Sequence, residues 1–352
     1  MKWPNSASEG TVPVRTYAEI ATTATLGGYS SLVPYVIQSP DQEDAGSCLY
    51  MSLTGIAEWW LAKLYPSASR AHDGPIDLSE RYMMNIAGGD EATSPVANWK
   101  TDSIDLYNKT GYAVLNSSYR FTKGWFMKDA EGNPKPVAAN TEGAEFSAMY
   151  NWIDQSATVN APTAYVALPH FEHEVLFADP ASDQWGTAVM PSNIVDEVKA
   201  KLREREAPVN IIYNHFGYWH SVYIIGYDDS APTNDCKFVT SFDNYMGGQV
   251  KEMRAQAEKE ADPAKKQKLI DRAAKFEKAG TRFHTAYTSG GGCAPKGMFY
   301  VRDSIYADDN APYVYTPGNP AGNGSYSKAI VLHEYAWLRY MSNHATQIYV
   351  KR

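Results

Sequence analysis

An apolar segment that begins at Cys48 constrains the fold more than any other feature of the sequence. Its large apolar residues recur at steps of 4, 3, 4 and 4 positions, at Leu49, Leu53, Ile56, Trp60 and Leu64. This spacing follows one face of an α-helix. It predicts a helix over 48–64 with Cys48 in its first turn, and Gly46 and Ser47 suit the turn and the cap before it.

A cysteine in the first turn of a helix is suited to act as a nucleophile. The thiolate is its reactive form, and the positive end of a helix dipole and a nearby imidazolium both stabilise a thiolate. Gln42 lies six residues earlier, where a turn would bring its amide N–H beside the thiol. That amide and the backbone N–H of Cys48 would form a two-donor oxyanion hole. A free cysteine is also a common packing residue, so spacing alone leaves a structural role open.

Further helical patterns follow in the first half of the chain. Residues 75–85 have the pattern of a capped helix with Ser79 near its start. Residues 101–110 form another helical candidate, which ends at Gly111, a residue type favoured just past a helix. Residues 120–160 are punctuated by Gly, Pro and Asn and are predicted to form loops.

Extended segments dominate the second half. Residues 221–227 and 237–242 are rich in β-branched and aromatic residues, which predicts strands, and a charged helix is predicted at 194–206. Residues 249–279 are almost all strong helix formers broken by one Asp-Pro pair, which predicts a helical hairpin inserted among the strands. Helices first and strands second are typical of an α+β fold in two lobes.

Two polar residues beside the predicted strands complete a candidate nucleophilic set. His220 directly precedes the strand 221–227, so its ring is expected at the rim of the sheet. Asn244 follows the strand 237–242, and an Asn oxygen can accept from an imidazole N–H and fix its tautomer. Each has an ordinary alternative, because a lone His is commonly a surface or core residue and an Asn near a Gly pair is a common turn signal.

Together these segments resemble, in order, the papain-like cysteine peptidases. DQEDAGSCLYMS resembles the active-site segment Asp-Gln-Gly-x-Cys-Gly-Ser-Cys-Trp-x-Phe-Ser, and DLSERYMMN resembles the Leu-Ser-Glu-Gln helix. HSVYIIGYDD is similar to the strand His-Ala-Val-x-x-Val-Gly-Tyr, and NYMG stands where Asn-Ser-Trp-Gly is usual. GMFYVRDS is similar to the closing Gly-Tyr-x-x-Ile strand, so the resemblance spans roughly residues 34–306.

The resemblance implies a papain-like two-lobe α+β fold that makes residues 1–352 one catalytic domain. A helical lobe at 40–160 would carry the nucleophile, and an antiparallel β-barrel-like lobe at 161–306 would carry His220 and Asn244, with the active-site cleft between them. The β lobe would contain the helical insertion 249–279. Residues 307–352 would form a C-terminal extension, and both additions are long enough to lie across the cleft.

Transferred residue by residue, the resemblance makes Cys48 the nucleophile and His220 the base that later acts as acid. Asn244 would orient His220, and Gln42 would donate to the oxyanion. The implied reaction is hydrolysis of a peptide bond through a thioester acyl-enzyme, with a peptide or protein substrate and with neither metal nor organic cofactor.

Departures from the family pattern leave two other functions open. Leu49 replaces the Trp that usually follows the nucleophile, and Met246 replaces the Trp that shields the His–Asn hydrogen bond. These changes favour a catalytically silent papain-like binding protein. A papain-fold acyltransferase or transpeptidase, in which an amine takes the acyl group, is the other alternative.

Gly88 and Gly89 match the family's Gly-Gly pair, whose backbone binds extended substrate.

Neighbouring residues offer competing assignments. His215 lies five residues before His220 but does not immediately precede the strand. Asp243 adjoins Asn244 and carboxylates also orient imidazoles, but on an alternating strand it should face the other way. His170 and His173 have no further ligands at zinc-site spacing, so a metal site is not expected there.

Composition excludes some partners. The net charge of −8 gives no general phosphate-binding field, so nucleic acid is not expected, and no apolar run approaches the roughly 20 residues of a membrane span. Three cysteines favour a reducing compartment or stability without disulfides. The first residues lack the hydrophobic core of a signal peptide, which leaves a cytoplasmic protein and a processed or secreted form both open. The oligomeric state is not indicated.

Overall fold

The computed structural model describes a defined part of the 352-residue chain, namely residues 28–29, 31–32, 35–36, 47–65, 77–80, 82–83, 104–116, 165–178, 190–215, 218–231, 238–289, 297–304, 314–315 and 330–351. The helices in this part are α1 (Cys48–Leu64), α2 (Asp105–Thr110), α3 (Ile194–Arg205), α4 (Phe238–Lys259), α5 (Pro263–Ser289) and α6 (Tyr335–Met341). None of these helices is long and apolar enough to cross a membrane.

The strands in the same part are β1 (Gly28–Tyr29), β2 (Tyr112–Val114), β3 (Tyr165–Ala167), β4 (Phe171–Ala178), β5 (Val209–His215), β6 (Tyr218–Asp228), β7 (Met298–Arg302), β8 (Val314–Tyr315), β9 (Ile330–Glu334) and β10 (Ser342–Val350). Eight of them form one sheet in the order β4-β10-β5-β6-β7-β9-β8, with β1 paired to β6 beside that path. Its pairs are antiparallel except for β8 with β9. The predicted α+β class is confirmed.

The described strands form an open sheet, with β4 and β8 at its two ends. The barrel-like closure expected for the β lobe is therefore not seen in the described part of the chain. The small sheet of β2 and β3 pairs Tyr112 with Ala167, so it joins the segments on either side of the expected lobe boundary at 160–161.

Helix α1 has the bounds that the apolar spacing predicts, but it is more deeply enclosed than a one-sided pattern requires. Every residue from Cys48 to Ala62 is buried, which is typical of a helix covered on all sides. Its buried polar residues have partners, as Thr54 does in a 3.0 Å hydrogen bond with the Tyr107 hydroxyl.

Strand β6 runs beside α1 and fixes its position. Gly55 of α1 lies so close to β6 that an added Cβ would be 2.9 Å from the ring of Tyr223. Glycine therefore allows the helix axis to approach the strand at this point. The close approach holds the N-terminus of α1 near the start of β6, which carries His220.

The strand predicted at 237–242 is wrong, because residues 238–242 form the beginning of α4. Strand β6 pairs with β5 and β1 along one side and, from Tyr223 to Asp228, with β7 along the other. The β-branched and aromatic residues that suggested a strand have only a weak, context-dependent preference. The strong helix formers from residue 249 onward extend the helix backward through them.

The predicted helical hairpin is present as α4 and α5 and is longer than expected. The Asp-Pro pair breaks it because Asp262 caps α5, where its carboxylate accepts from the N–H groups of Ala264 and Lys265 at 2.8 and 3.2 Å. Pro263 then takes the first helical position, where no N–H is needed.

The segment 307–352 contributes to the sheet itself. Strand β10 lies between β4 and β5, and β9 pairs with β7. Strands β9 and β10 of this segment thus belong to the main sheet, and the expectation that the segment lies across the cleft stays a prediction. The sequence resemblance ends near residue 306, so it contained no information about this insertion into the sheet.

Replacing Ile348 of β10 with Ala is expected to lower the free energy of unfolding by about 2–5 kcal/mol, because the side chain is fully buried in the main core. Urea unfolding measures this difference. The matched control is Lys351→Ala, at an exposed position just past the strand, which should change stability little. A wild-type unfolding curve for Ile348→Ala would show that β10 is dispensable and would contradict this description.

Candidate active site

Cys48 occupies the N-terminus of α1 and forms no disulfide. The hydrogen bond from the Met51 N–H to the Ser47 carbonyl, at 3.0 Å, marks the first turn of the helix. The N–H groups of such a first turn point away from the helix body, which makes this end of α1 electropositive. The thiol is therefore placed where a negative charge is favoured.

The structure brings His220 to Cys48. His220 lies on β6 in register with Tyr213 of β5, and its imidazole is hydrogen-bonded to the Cys48 side chain. The two residues are 2% and 3% exposed, so the contact is shielded from bulk water. Segments 172 positions apart in the sequence thus meet at one point.

The carboxylate of Asp303 holds the other side of the imidazole. Its Oδ1 lies 2.7 Å from Nε2 of His220, and both side chains are buried. Asp303 directly follows β7, which pairs with β6 through Tyr223 and Arg302. Because Nε2 contacts Asp303, Nδ1 is the ring nitrogen left to face the Cys48 sulfur.

The sequence argument expected Asn244 to contact the imidazole, and that assignment stays a prediction. The backbone of Asn244 lies in α4, and its side chain is outside the described part of the structure. The sequence argument identified GMFYVRDS as a strand but gave no role to Asp303 within it, because Asn244 after the predicted strand 237–242 was assigned to orient the imidazole. Gln42, Gly88 and Gly89 also lie outside the described residues.

Charge in this arrangement favours the protonated imidazole. Burial of the ring lowers the pKa of His220, but the charge and hydrogen bond of Asp303, together with Cys48, outweigh burial and raise that pKa to about 10. His220 is thus an imidazolium at neutral pH, with both ring nitrogens as donors. An imidazolium beside a thiol stabilises the thiolate by direct attraction.

An aromatic cluster covers the imidazole from the β5 side. The ring of Tyr213 packs edge-on against His220 with centroids 5.5 Å apart, and Trp337 of α6 packs against Tyr213 at 5.1 Å. These buried rings keep water away from the imidazole, a role for which the sequence pointed to Met246. The side chain of Met246 is outside the described part. Tyr213 and Trp337 were missed because their proximity depends on how β5, β6 and α6 pack.

Two further buried carboxyl groups, Glu58 and Glu80, feel the charge of Arg302. Glu58 of α1 accepts the Leu78 N–H at 2.6 Å, and burial is the main cause that raises the pKa of both Glu58 and Glu80, that of Glu80 to about 8. Arg302, which precedes Asp303, opposes this rise by its charge. These groups therefore connect α1 to residues 77–80 at little cost in buried charge.

Within the described residues, no three His, Cys, Asp or Glu side chains are arranged to hold a metal ion. His170 and His173 flank the start of β4, as part of a surface strand rather than of the Cys48 site.

Comparison with known proteins finds similarity only among solved structures. No protein-family model and no curated protein matches the sequence. The chain is similar to a recombinant stem bromelain precursor at 11% identity and a TM-score of 0.40, over 97% of this chain and 76% of that one.

Two other similar structures are also described as proteases or their precursors. Bromelain protease from Ananas comosus, in complex with the E64 inhibitor, has 11% identity and a TM-score of 0.38 over 92% of this chain and 99% of that one. Digestive procathepsin L 3 of the Tenebrio molitor larval midgut has 11% identity and a TM-score of 0.39 over 92% and 70%. Likeness at this level carries no assignment of activity or of residues.

Replacing Asp303 with Asn should lower the pKa of His220, because the hydrogen-bond acceptor remains while the charge that stabilises the imidazolium is removed. Nitrogen-15 NMR of histidine-labelled protein, with the His220 signal assigned from a His220→Asn variant, follows this titration. Wild-type His220 should stay protonated until the pH approaches about 10, and the variant should titrate at lower pH.

The raised pKa of His220 also determines how the folding stability depends on pH. The contribution of His220 to stability is complete below its unfolded pKa of 6.5 and is lost as the pH rises through about 10. Asp229→Asn is the control for the His220 titration, because Asp229 follows the opposite end of β6 and its replacement should leave the pKa of His220 unchanged. An unchanged His220 titration in Asp303→Asn would contradict the ion pair.

Proposed function

We propose that this chain is a papain-like cysteine peptidase in which Cys48 is the nucleophile, His220 the base and acid, and Asp303 the residue that orients His220. The observation that carries the proposal is the buried, hydrogen-bonded series Cys48–His220–Asp303 at the N-terminus of α1. This arrangement meets the geometric test for an activated nucleophile, with a base in contact and a third group holding the base.

Acylation begins with attack of the Cys48 thiolate on the carbonyl carbon of the scissile peptide bond. The carbonyl π electrons move to oxygen, which gives a tetrahedral oxyanion. As that oxyanion collapses, the C–N bond breaks and His220 delivers its proton to the departing nitrogen. The products of this step are a free amine and a thioester on Cys48, and His220 is left neutral.

Deacylation uses water in place of the amine. Neutral His220 accepts a proton from the water as its oxygen attacks the thioester carbonyl, and the C–S bond breaks when the second oxyanion collapses. The carboxylic acid leaves, and the thiolate and the imidazolium are restored. No metal or organic cofactor takes part in the proposed cycle.

The developing oxyanion needs hydrogen-bond donors. The backbone N–H of Cys48 at the positive end of α1 is one proposed donor, and the side-chain amide of Gln42 is the second. Gly88 and Gly89 are proposed to bind the backbone of an extended peptide or protein substrate. These roles of Gln42, Gly88 and Gly89 rest on the resemblance of the sequence.

A carboxylate at position 303 gives this site a stronger hold on the imidazolium than an Asn would. An Asn side chain fixes the tautomer by a hydrogen bond alone, whereas Asp303 adds a full negative charge in a buried site. His220 should consequently remain charged well above neutral pH, and the peptidase should retain activity into the alkaline range until the pH approaches about 10.

Replacing Cys48 with Ala should reduce peptide hydrolysis at least about a thousandfold, because the group that forms the acyl-enzyme is lost. A diverse peptide library incubated with the purified protein and read by mass spectrometry measures this without a known substrate. Thr54→Val, a variant on the same helix outside the site, is the matched control and should keep wild-type turnover.

The same assay separates the alternatives. Undiminished turnover by a folded Cys48→Ala variant would reject the nucleophile. Products carrying an added amine in place of a new carboxylate would identify an acyltransferase. Peptide binding without turnover in the wild type would identify a silent binding protein.

A further inference from the structure

Three buried polar side chains form a cluster that joins the helix of Cys48 to the strand of His220. They come from three different elements, Ser52 from α1, Asn210 from β5 and Ser221 from β6. Their exposures are 4%, 5% and 1%. Polar groups at this depth are costly unless hydrogen-bonded, so their mutual contacts need to be complete.

The three side chains bond to one another at close range. The Ser52 and Ser221 hydroxyl oxygens are 2.7 Å apart, and Nδ2 of Asn210 lies 3.1 Å from each of them. Nδ2 also donates to the Val222 carbonyl at 3.0 Å. The Ser52 hydroxyl further donates to the Leu49 carbonyl at 3.0 Å.

The proton count fixes the direction of these bonds. Because the Ser52 proton goes to the Leu49 carbonyl, Ser52 must accept from Ser221, and Ser221 is therefore the donor of the 2.7 Å bond. Asn210 has two amide protons for three acceptors, so one proton goes to the Val222 carbonyl and the other is shared by the two hydroxyls. Every donor proton is thereby used.

This series of bonds links the backbone next to the nucleophile with the backbone next to the base. It ends at the carbonyl of Leu49, the residue after Cys48, and Ser52 itself lies one helical turn beyond Cys48. At the other end Ser221 adjoins His220 on β6. Fixing Ser221 fixes the strand segment from which the imidazole extends.

A second contact at this junction is the close packing of a glycine on an aromatic ring. Gly55 meets the ring of Tyr223, and apolar packing of this kind tolerates small sliding movements. Hydrogen bonds that connect three elements through shared oxygens do not tolerate such movements, because both the distance and the angle of a hydrogen bond are restricted. In the segment that resembles His-Ala-Val, this chain has His-Ser-Val, and the hydroxyl of Ser221 is what allows the link.

We infer that Ser52, Asn210 and Ser221 are positioning residues that hold the helix of Cys48 in fixed register against the strand of His220. This inference rests on the proposed function for its catalytic meaning. Proton transfer between sulfur and imidazole depends on a separation near contact distance, and a displacement of about 1 Å can reduce a rate about a hundredfold.

The test is the rate of carboxamidomethylation of Cys48 by iodoacetamide across a pH series, read by peptide mass mapping so that Cys236 and Cys293 are scored separately. The Cys48 thiolate displaces iodide and forms a thioether, so the rate reports the thiolate–imidazolium pair without any peptide substrate. Ser221→Ala is expected to lower the Cys48 rate at neutral pH about tenfold and to move its profile to higher pH.

Matched variants separate positioning from general stability. Ser221→Thr keeps the hydroxyl and should restore the profile, and Ser52→Ala should reproduce the effect of Ser221→Ala independently. The double variant Ser52→Ala with Ser221→Ala should label Cys48 little more slowly than either single variant, because each substitution breaks the same hydrogen-bond network. Thr54→Val removes an equally buried hydrogen bond of α1 and should leave the Cys48 profile unchanged.

The outcomes are distinct from those of the peptidase proposal. If folded Ser221→Ala and Ser52→Ala label Cys48 at the wild-type rate and differ only in a lower melting temperature, the positioning role is overturned. This holds even if the protein cleaves peptides. The expected shift in a protein that does not cleave peptides supports the positioning role and rejects the peptidase. An equal shift of the Cys48 profile in Thr54→Val also overturns the positioning role, because any loosening of α1 would then be enough to change the labelling rate.

Discussion

The contact between the N-terminus of α1 and the start of β6 is the constraint on which the site depends. A thiol and an imidazole react together only when they touch, and here they belong to elements far apart in the sequence. Burial of α1 on all sides, the absence of a Cβ at Gly55 and the polar link through Ser221 all act at this contact. The sheet supplies the third member by ending β7 at Asp303 beside β6.

Electrostatics gives the contact its chemical character. Burial alone would keep His220 neutral, and a neutral imidazole would give a neighbouring thiolate no positive charge. The buried carboxylate of Asp303 reverses this, so that a protonated imidazole lies between a carboxylate and the Cys48 thiol. The tyrosine and tryptophan rings beside His220 exclude water, which strengthens each of these interactions.

Local patterns predicted much of the secondary structure. The apolar spacing gave α1 its observed bounds, and Gly111 ends α2 in the left-handed conformation with φ of 71°, as a glycine after a helix should. Local signals indicated the helix of Cys48 and the strand beside His220, and the resemblance to the papain-like family implied that the two residues meet. The remaining elements needed knowledge of which strands pair.

Pairing is a property of the whole sheet, and it explains the errors. Residues 237–242 have the composition of a strand, but residues 238–242 belong to helix α4. Asn244, which was expected just after that strand, therefore lies in a helix. Asp303, directly after β7, is hydrogen-bonded to the imidazole. The position of β10 between β4 and β5 depends in the same way on partners more than a hundred residues away.

The most direct measurement of this account is a high-resolution crystal structure of the unmodified protein at neutral pH. The account predicts the Cys48 sulfur within hydrogen-bonding distance of Nδ1 of His220 and a carboxylate oxygen of Asp303 on Nε2. An imidazole turned away from the sulfur, or Nε2 bonded to the side chain of Asn244, would contradict it.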